Sequence, residues 1–425
     1  MKTKIISLFS FLLLSSLLFG QTKKVLFVGN SYTGANNLPQ MFEDVSTSTG
    51  DTVLVESITP GGYRFLNHSS NPATLTKIAS NDWDYVALQA QSQEPSWPIG
   101  QVQQEVFPHA AILCDSIRAN NSCSMPMFYM TWGRKNGDAN NCASWPPVCT
   151  YQGMDSLLSE RYQTMADDNN AIVSPVGAVW KYIRTNNPTI ELYSADESHP
   201  SLAGTYAAAC TFFVTVFRKD PTFITFQAGL PSGEALAIRE AAKMVVFDNL
   251  SDWNIGNYDP VASFSYTQVS ATVDFSNSSS SSDEFLWFLG DGDTTSVKNP
   301  VHTYASPGDY YVTLEATKCG RISSITDTIV ILNSTSVTEF GEDNNVHVYP
   351  NPTSDQINVD LSSLSNFELL DIVIFNELGK TVKVFERIRT EKFSFSVNEF
   401  PIGVYFLKAR IEDRWLTTYS FQIIR

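Results

Sequence analysis

Residues 23–34 read "KKVLFVGNSYTG", and this stretch decides the fold. Val25, Leu26, Phe27 and Val28 form an unbroken apolar run closed off by polar residues, the pattern of a short strand buried on both faces, as in a parallel sheet. The run stops at Gly29 and Asn30, so Ser31 stands where the strand would end. In an open parallel sheet, ligands bind at the carboxyl ends of the strands.

Working outward, further apolar runs recur: "DTVLVESI", "DYVALQAQ", "MPMFYMTW" and "NAIVSPVG". Stretches with helical character fall between or after them, around 101–119, 153–169 and 202–217. This alternation predicts a three-layer α/β/α domain with a parallel sheet over residues 24–250. Near Asp259 the composition changes to short alternating runs with Gly, Asp, Asn and Ser turns, which predicts a small all-β sandwich over 259–333. After the polar linker "NSTSVTEFGEDNN", paired strand signals predict a second small all-β domain over 346–425.

A chain of 425 residues is too long for one core, and 43% hydrophobic with 17% charged residues describes a globular protein. The net charge of −16 argues against a nucleic-acid partner, which needs clustered Lys and Arg. Residues 1–20, "MKTKIISLFSFLLLSSLLFG", carry two lysines, a short apolar stretch and a small residue at Gly20, as a cleavable signal peptide does. No later stretch has the length of apolar sequence that a membrane helix needs, so no integral membrane segment is expected in the mature protein. For an exported protein, six cysteines suggest disulfides: Cys142 with Cys149 and Cys114 with Cys123 are the local pairings considered. No CxxC occurs and the five histidines are scattered, so no metal site and no cofactor are expected.

A serine hydroxyl becomes a nucleophile only when a base takes its proton. Of the three histidines in the first domain, His68, His109 and His199, only His199 has a carboxylate at turn spacing. In "SADESHPSLAG", Asp196 precedes it by three residues, close enough to orient the ring and leave its other nitrogen for the serine. Taken alone, Ser31 reads equally well as a helix N-cap. It also lacks the G-x-S-x-G pattern of a nucleophile elbow.

"VGNSYTG" and "DESHPSLAG" together resemble the first and last blocks of the SGNH/GDSL hydrolase family, over roughly residues 24–220. The resemblance implies a flavodoxin-like fold and a triad of Ser31, Asp196 and His199. It also implies an oxyanion hole from the Ser31 and Gly62 backbone N–H groups and an amide in the third block. There "DYVALQAQSQE" puts Gln93 in the place of the family's Asn and Glu94 at the acid after it, with Gln91 and Gln89 as rivals.

Two further resemblances bear on context. "WFLGDGDTTSVKNPVHTYASPGDYYVTLEA" resembles a PKD domain, with Leu289 in place of the usual Phe and His302 inside the fold signature. "VYPNPTSDQINVDL", "FNELGKTV" and "PIGVYFLKA" resemble the C-terminal sorting domain of the type IX secretion system. The latter implies the type IX secretion machinery as a partner and export across the outer membrane. The expected function is a secreted serine esterase acting on an ester substrate, most simply O-acetyl groups on polysaccharide. The alternatives are a lipase or acyl-thioesterase, or a non-catalytic glycan-binding or adhesion protein. Trp97, Trp132 and Trp145 read either as sugar-stacking surfaces or as loop anchors.

Overall fold

The structure, a computed structural model, describes residues 22–332, 346–362, 370–411 and 414–425. The expected signal peptide at 1–20 and the expected linker at 333–345 lie outside the described residues.

Five parallel strands, β1 (Lys23–Val28), β2 (Val53–Ile58), β3 (Tyr85–Leu88), β4 (Met125–Tyr129) and β5 (Ile172–Ser174), form one sheet in the order β2-β1-β3-β4-β5. This is the flavodoxin-like doubly wound order. Because side chains alternate along a strand, each central strand feeds two cores. Val25 and Phe27 of β1 enter one and Leu26 and Val28 the other, as do Tyr85 and Ala87 against Val86 and Leu88 in β3.

Among the described residues, ten α-helices accompany the sheet: α1 (Ser31–Gly34), α2 (Leu38–Thr47), α3 (Phe65–Ser70), α4 (Pro72–Ile78), α5 (Ile99–Glu105), α6 (Phe107–Asn120), α7 (Tyr151–Asp168), α8 (Val176–Asn186), α9 (Leu202–Phe217) and α10 (Ser232–Val245). Apolar faces of α2, α8, α9 and α10 fill the first core, and those of α3 to α7 fill the second. The helical stretch expected at 101–119 is two helices broken at Val106. Pro108, with no N–H and a ring that crowds the preceding turn, starts α6 and cannot continue α5. Among the described residues, no helix is long and apolar enough to cross a membrane.

The next module has seven strands, β6 (Phe264–Val269), β7 (Thr272–Asn277), β8 (Glu284–Phe288), β9 (Thr294–Thr295), β10 (Val301–Thr303), β11 (Gly308–Lys318) and β12 (Arg321–Ile331). They form two sheets, β10-β7-β6 and β12-β11-β8-β9, over a core of Val273, Phe275, Trp287, Val312 and Leu314. His302 stays within its own module, its Nε2 donating to Asp291 Oδ2 at 2.6 Å and its ring edge-on to Tyr304.

This module is fastened to the amino ends of the parallel strands. Cys123, just before β4, is joined to Cys319 in the β11–β12 turn. Asp259 accepts from both Arg218, at the end of α9, and Arg321, whose other nitrogen donates to the Tyr85 hydroxyl at 2.8 Å. The expected Cys114–Cys123 pair is therefore wrong: Cys123 is already bridged to Cys319, and Cys114 is a free thiol on α6, fully buried in the second core. Cys142 and Cys149 are bridged as their spacing suggested.

The terminal module, described by itself, comprises β13 (His347–Tyr349), β14 (Gln356–Asp360), β15 (Leu370–Asn376), β16 (Thr381–Ile388), β17 (Lys392–Ser396), β18 (Gly403–Ile411) and β19 (Arg414–Ile423). They make sheets β13-β14-β17 and β16-β15-β18-β19 around Ile357, Phe395, Leu407 and Phe421.

Candidate active site

Backbone and side chains from the ends of β2 and β3 and from α3 hold the turn after β1. Gly29 N–H donates to Ile58 O at 3.1 Å, and the buried His68 Nε2 donates to Gly29 O at 2.9 Å, with Thr74 on its other nitrogen. Burial pushes the His68 pKa down, so this histidine is a neutral strut. Gly29 is required by packing: a Cβ there would lie 2.4 Å from Thr33 Oγ1 and 2.8 Å from Gln89 Oε1. The N-cap of α1 is Asn30, whose Oδ1 accepts from Tyr32 N at 3.1 Å. Ser31 is thus the first helical residue, with its side chain free of capping duty and its N–H among the amides that a helix start leaves without an intrahelical acceptor.

His199 reaches Ser31 from the loop before α9. Its Nε2 lies 2.8 Å from Ser31 Oγ, and its Nδ1 lies 2.5 Å from Asp196 Oδ2. With the Nδ1 proton held by the carboxylate, Nε2 of the neutral ring is an acceptor facing the hydroxyl. Partial burial raises the Asp196 pKa, but hydrogen bonds from the His199 ring, the His199 and Ser198 amides and Ser194 outweigh it. They hold the carboxyl far below its usual range. The same oxygen that receives the two amides shapes the D-x-x-H turn, at 2.9 and 3.1 Å.

Tyr32 and Asn36, which sequence reasoning missed, hold this loop on α1 together with Trp132, one of the three tryptophans it left open. Tyr32 OH lies 2.5 Å from Ser198 Oγ, and its ring stands edge-on to His199 at 5.0 Å. Trp132 stacks on Tyr32 and on Trp180, at 5.0 and 3.6 Å, and donates to Ser198 O at 3.1 Å. It is fully buried and so an anchor, not a stacking surface. Asn36 Nδ2 donates to Pro200 O and Thr205 Oγ1 at 3.2 and 2.9 Å. Trp145 donates to Ser96 O, and Trp97 lies beneath the Arg64 guanidinium.

Gly62 sits in the loop after β2, which docks on the Ser31 turn through Asn30 Nδ2 donating to Tyr63 O at 3.0 Å. Its φ of +71° is a conformation that favours glycine. The three glutamines have different duties. Gln89 is buried, and its Oε1 accepts from Asn30 N and Thr33 Oγ1, both at 2.9 Å, which makes it a brace for the turn. Gln91 Oε1 accepts from Gln93 N at 2.8 Å. Gln93 Nε2 donates to Asp138 Oδ2 at 2.6 Å. Glu94 is fully buried; burial pushes its carboxyl up against the pull of Arg64, which it ties to the third block's loop by also accepting from Gln91 N.

Comparison with known proteins assigns the two β modules. Residues 257–331 match the PKD domain, and residues 347–424 match the secretion system C-terminal sorting domain. The latter marks the chain for export across the outer membrane. No curated protein matches the chain. Among solved structures, a DUF4886 family protein from Bacteroides uniformis is 18% identical with a TM-score of 0.47, covering 54% of this chain and 95% of its own. A putative SGNH hydrolase from Slackia heliotrinireducens is 26% identical with a TM-score of 0.37, covering 45% and 97%. The PKD1 domain of the Vibrio cholerae metalloprotease PrtV is 31% identical with a TM-score of 0.17, covering 17% and 96%.

Proposed function

We propose that the α/β domain is a serine hydrolase of the SGNH type, acting as an esterase on O-acetyl groups of polysaccharide outside the cell. The observation that carries this reading is the continuous relay Ser31 Oγ, His199 Nε2, His199 Nδ1, Asp196 Oδ2, with contacts of 2.8 and 2.5 Å. Ser31 Oγ attacks the ester carbonyl as His199 Nε2 takes its proton, and Asp196 stabilises the imidazolium. The oxyanion is held by the Ser31 and Gly62 N–H groups and the Gln93 amide. Collapse returns the proton to the departing alcohol, and water, deprotonated in turn by His199, releases the acid and frees Ser31.

The site's openness supports a polymer-borne ester. The Asp196 and His199 side chains are 51% and 38% exposed, so a bulky chain reaches them without entering a tunnel. Acid release from acetylated xylan and from nitrophenyl esters of increasing chain length, with wild type and Ser31→Ala in parallel, tests the proposal. Preference for acetyl and a loss on the order of 10⁴-fold or more in Ser31→Ala are expected. Preference for long acyl chains would reassign the enzyme as a lipase. Inert wild type that still binds polysaccharide would replace catalysis with adhesion.

A further inference from the structure

We propose that Asp138 is a positioning residue for the oxyanion hole: it clamps the Gln93 carboxamide so that one N–H is spent on the clamp and the other is offered to the substrate oxygen. The inference rests on the esterase reading above. A glutamine is one methylene longer than the asparagine of the family pattern and carries an extra rotor. Left loose, its amide would spend its time in many orientations, and a donor that must be reorganised during the reaction contributes little.

The clamp is itself immobile. Asp138 is buried at 1% exposure, and its carboxylate accepts from Gln93 Nε2 and Asn141 Nδ2 at 2.6 Å each, Asn140 N at 3.2 Å and Arg134 Nη1 at 3.3 Å. Its backbone is pinned as well, the N–H donating to Val148 O at 2.7 Å and the carbonyl accepting from Cys142 N at 2.9 Å. The Cys142–Cys149 bridge closes that loop on itself. Arg134 offsets the Asp138 charge, which would otherwise oppose the developing oxyanion.

A primary amide nitrogen has two hydrogens, and Asp138 takes one. Among the described residues the Gln93 nitrogen has no second acceptor. Gln89 of the same segment braces Asn30 and Thr33, so the segment that carries Gln93 borders the Ser31 turn.

The test is a double-mutant cycle on the full chain, with kcat and KM measured on nitrophenyl acetate for wild type, Gln93→Ala, Asp138→Asn and the double variant. Gln93→Ala should lower kcat by about 10²-fold with KM within about twofold, the cost of one lost oxyanion donor. Asp138→Asn should lower kcat by roughly tenfold or more, since misplacement of about 1 Å can cost on the order of 10²-fold. In the Gln93→Ala background, Asp138→Asn should then change nothing. Equal losses in both backgrounds, or no loss in wild type, overturn the proposal, because a merely structural Asp138 would act with or without Gln93. Should Asp138→Asn fail to fold, Cys142→Ser with Cys149→Ser loosens the same clamp and is held to the same non-additivity. A wild type without Ser31-dependent activity defeats the esterase reading itself; Ser31-dependent activity with additive losses defeats only the clamp.

Discussion

The two ends of the central sheet are built by opposite means. At the carboxyl end, Ser31 at the start of α1 and Gly62 and His199 on loops are held by hydrogen bonds and aromatic contacts, and the His199 and Asp196 side chains are partly open to solvent. At the amino end, about 20 Å away along β1, the PKD module is fastened by a disulfide and by the Arg218–Asp259–Arg321 cluster. One end keeps donors and acceptors available for a visitor, and the other satisfies its own. The module therefore attaches where it strengthens the α/β domain without lining the Ser31 site, unlike a spacer joined only through a linker.

Separate readouts for the two ends would break this contrast. The largest effect is expected from Cys123→Ser with Cys319→Ser. The bond spans 196 residues, for which chain entropy gives up to about 5 kcal/mol, read by urea unfolding, with kcat on a small ester within about twofold. Lost activity without lost stability would place the module's influence at the site instead. Next, Asp259→Ala leaves two guanidinium groups without their shared carboxylate, and should cost about 2 kcal/mol of stability, again sparing kcat. At the other end, Tyr32→Phe removes the bond to Ser198, worth about 1 kcal/mol or roughly fivefold in kcat, with little change in melting temperature. A stability loss without a kinetic one would show that Tyr32 serves the core alone.

The smallest effect concerns Glu94. Its folded carboxyl binds its proton more tightly than the unfolded one, so its stabilisation is present below the ordinary carboxylate pKa and is lost as pH rises through the raised folded value. Glu94→Gln should flatten the dependence of melting temperature on pH across and just above the carboxylate range. An unchanged slope would show that Arg64 keeps the carboxylate charged throughout.

What the sequence made legible follows from how locally each feature is encoded. Five strands were readable because buried parallel strands are short apolar runs. The His199–Asp196 contact was readable because it lies within one turn of chain. Ser31 stood out only as the residue after the first strand, and its proximity to His199, 168 residues on, depends on the whole fold. Asp138 gave no signal, because its meeting with Gln93 depends on a loop folded over its own disulfide. Cys114 misled for the same reason: sequence spacing suggested Cys123 as its neighbour, while the true partner of Cys123 lies in another module and Cys114 is a free thiol buried in the core.

The long-range bridge also governs what a protease can do to this exported chain. Asp196 and His199 lie inside the covalent ring that Cys123 and Cys319 close, whereas Ser31 lies outside it. A single cut anywhere within that ring, including the exposed stretch around Asn140, leaves both pieces tethered and Ser31 still linked to His199. Such nicked protein should run as one band on a gel without reductant and as two with it.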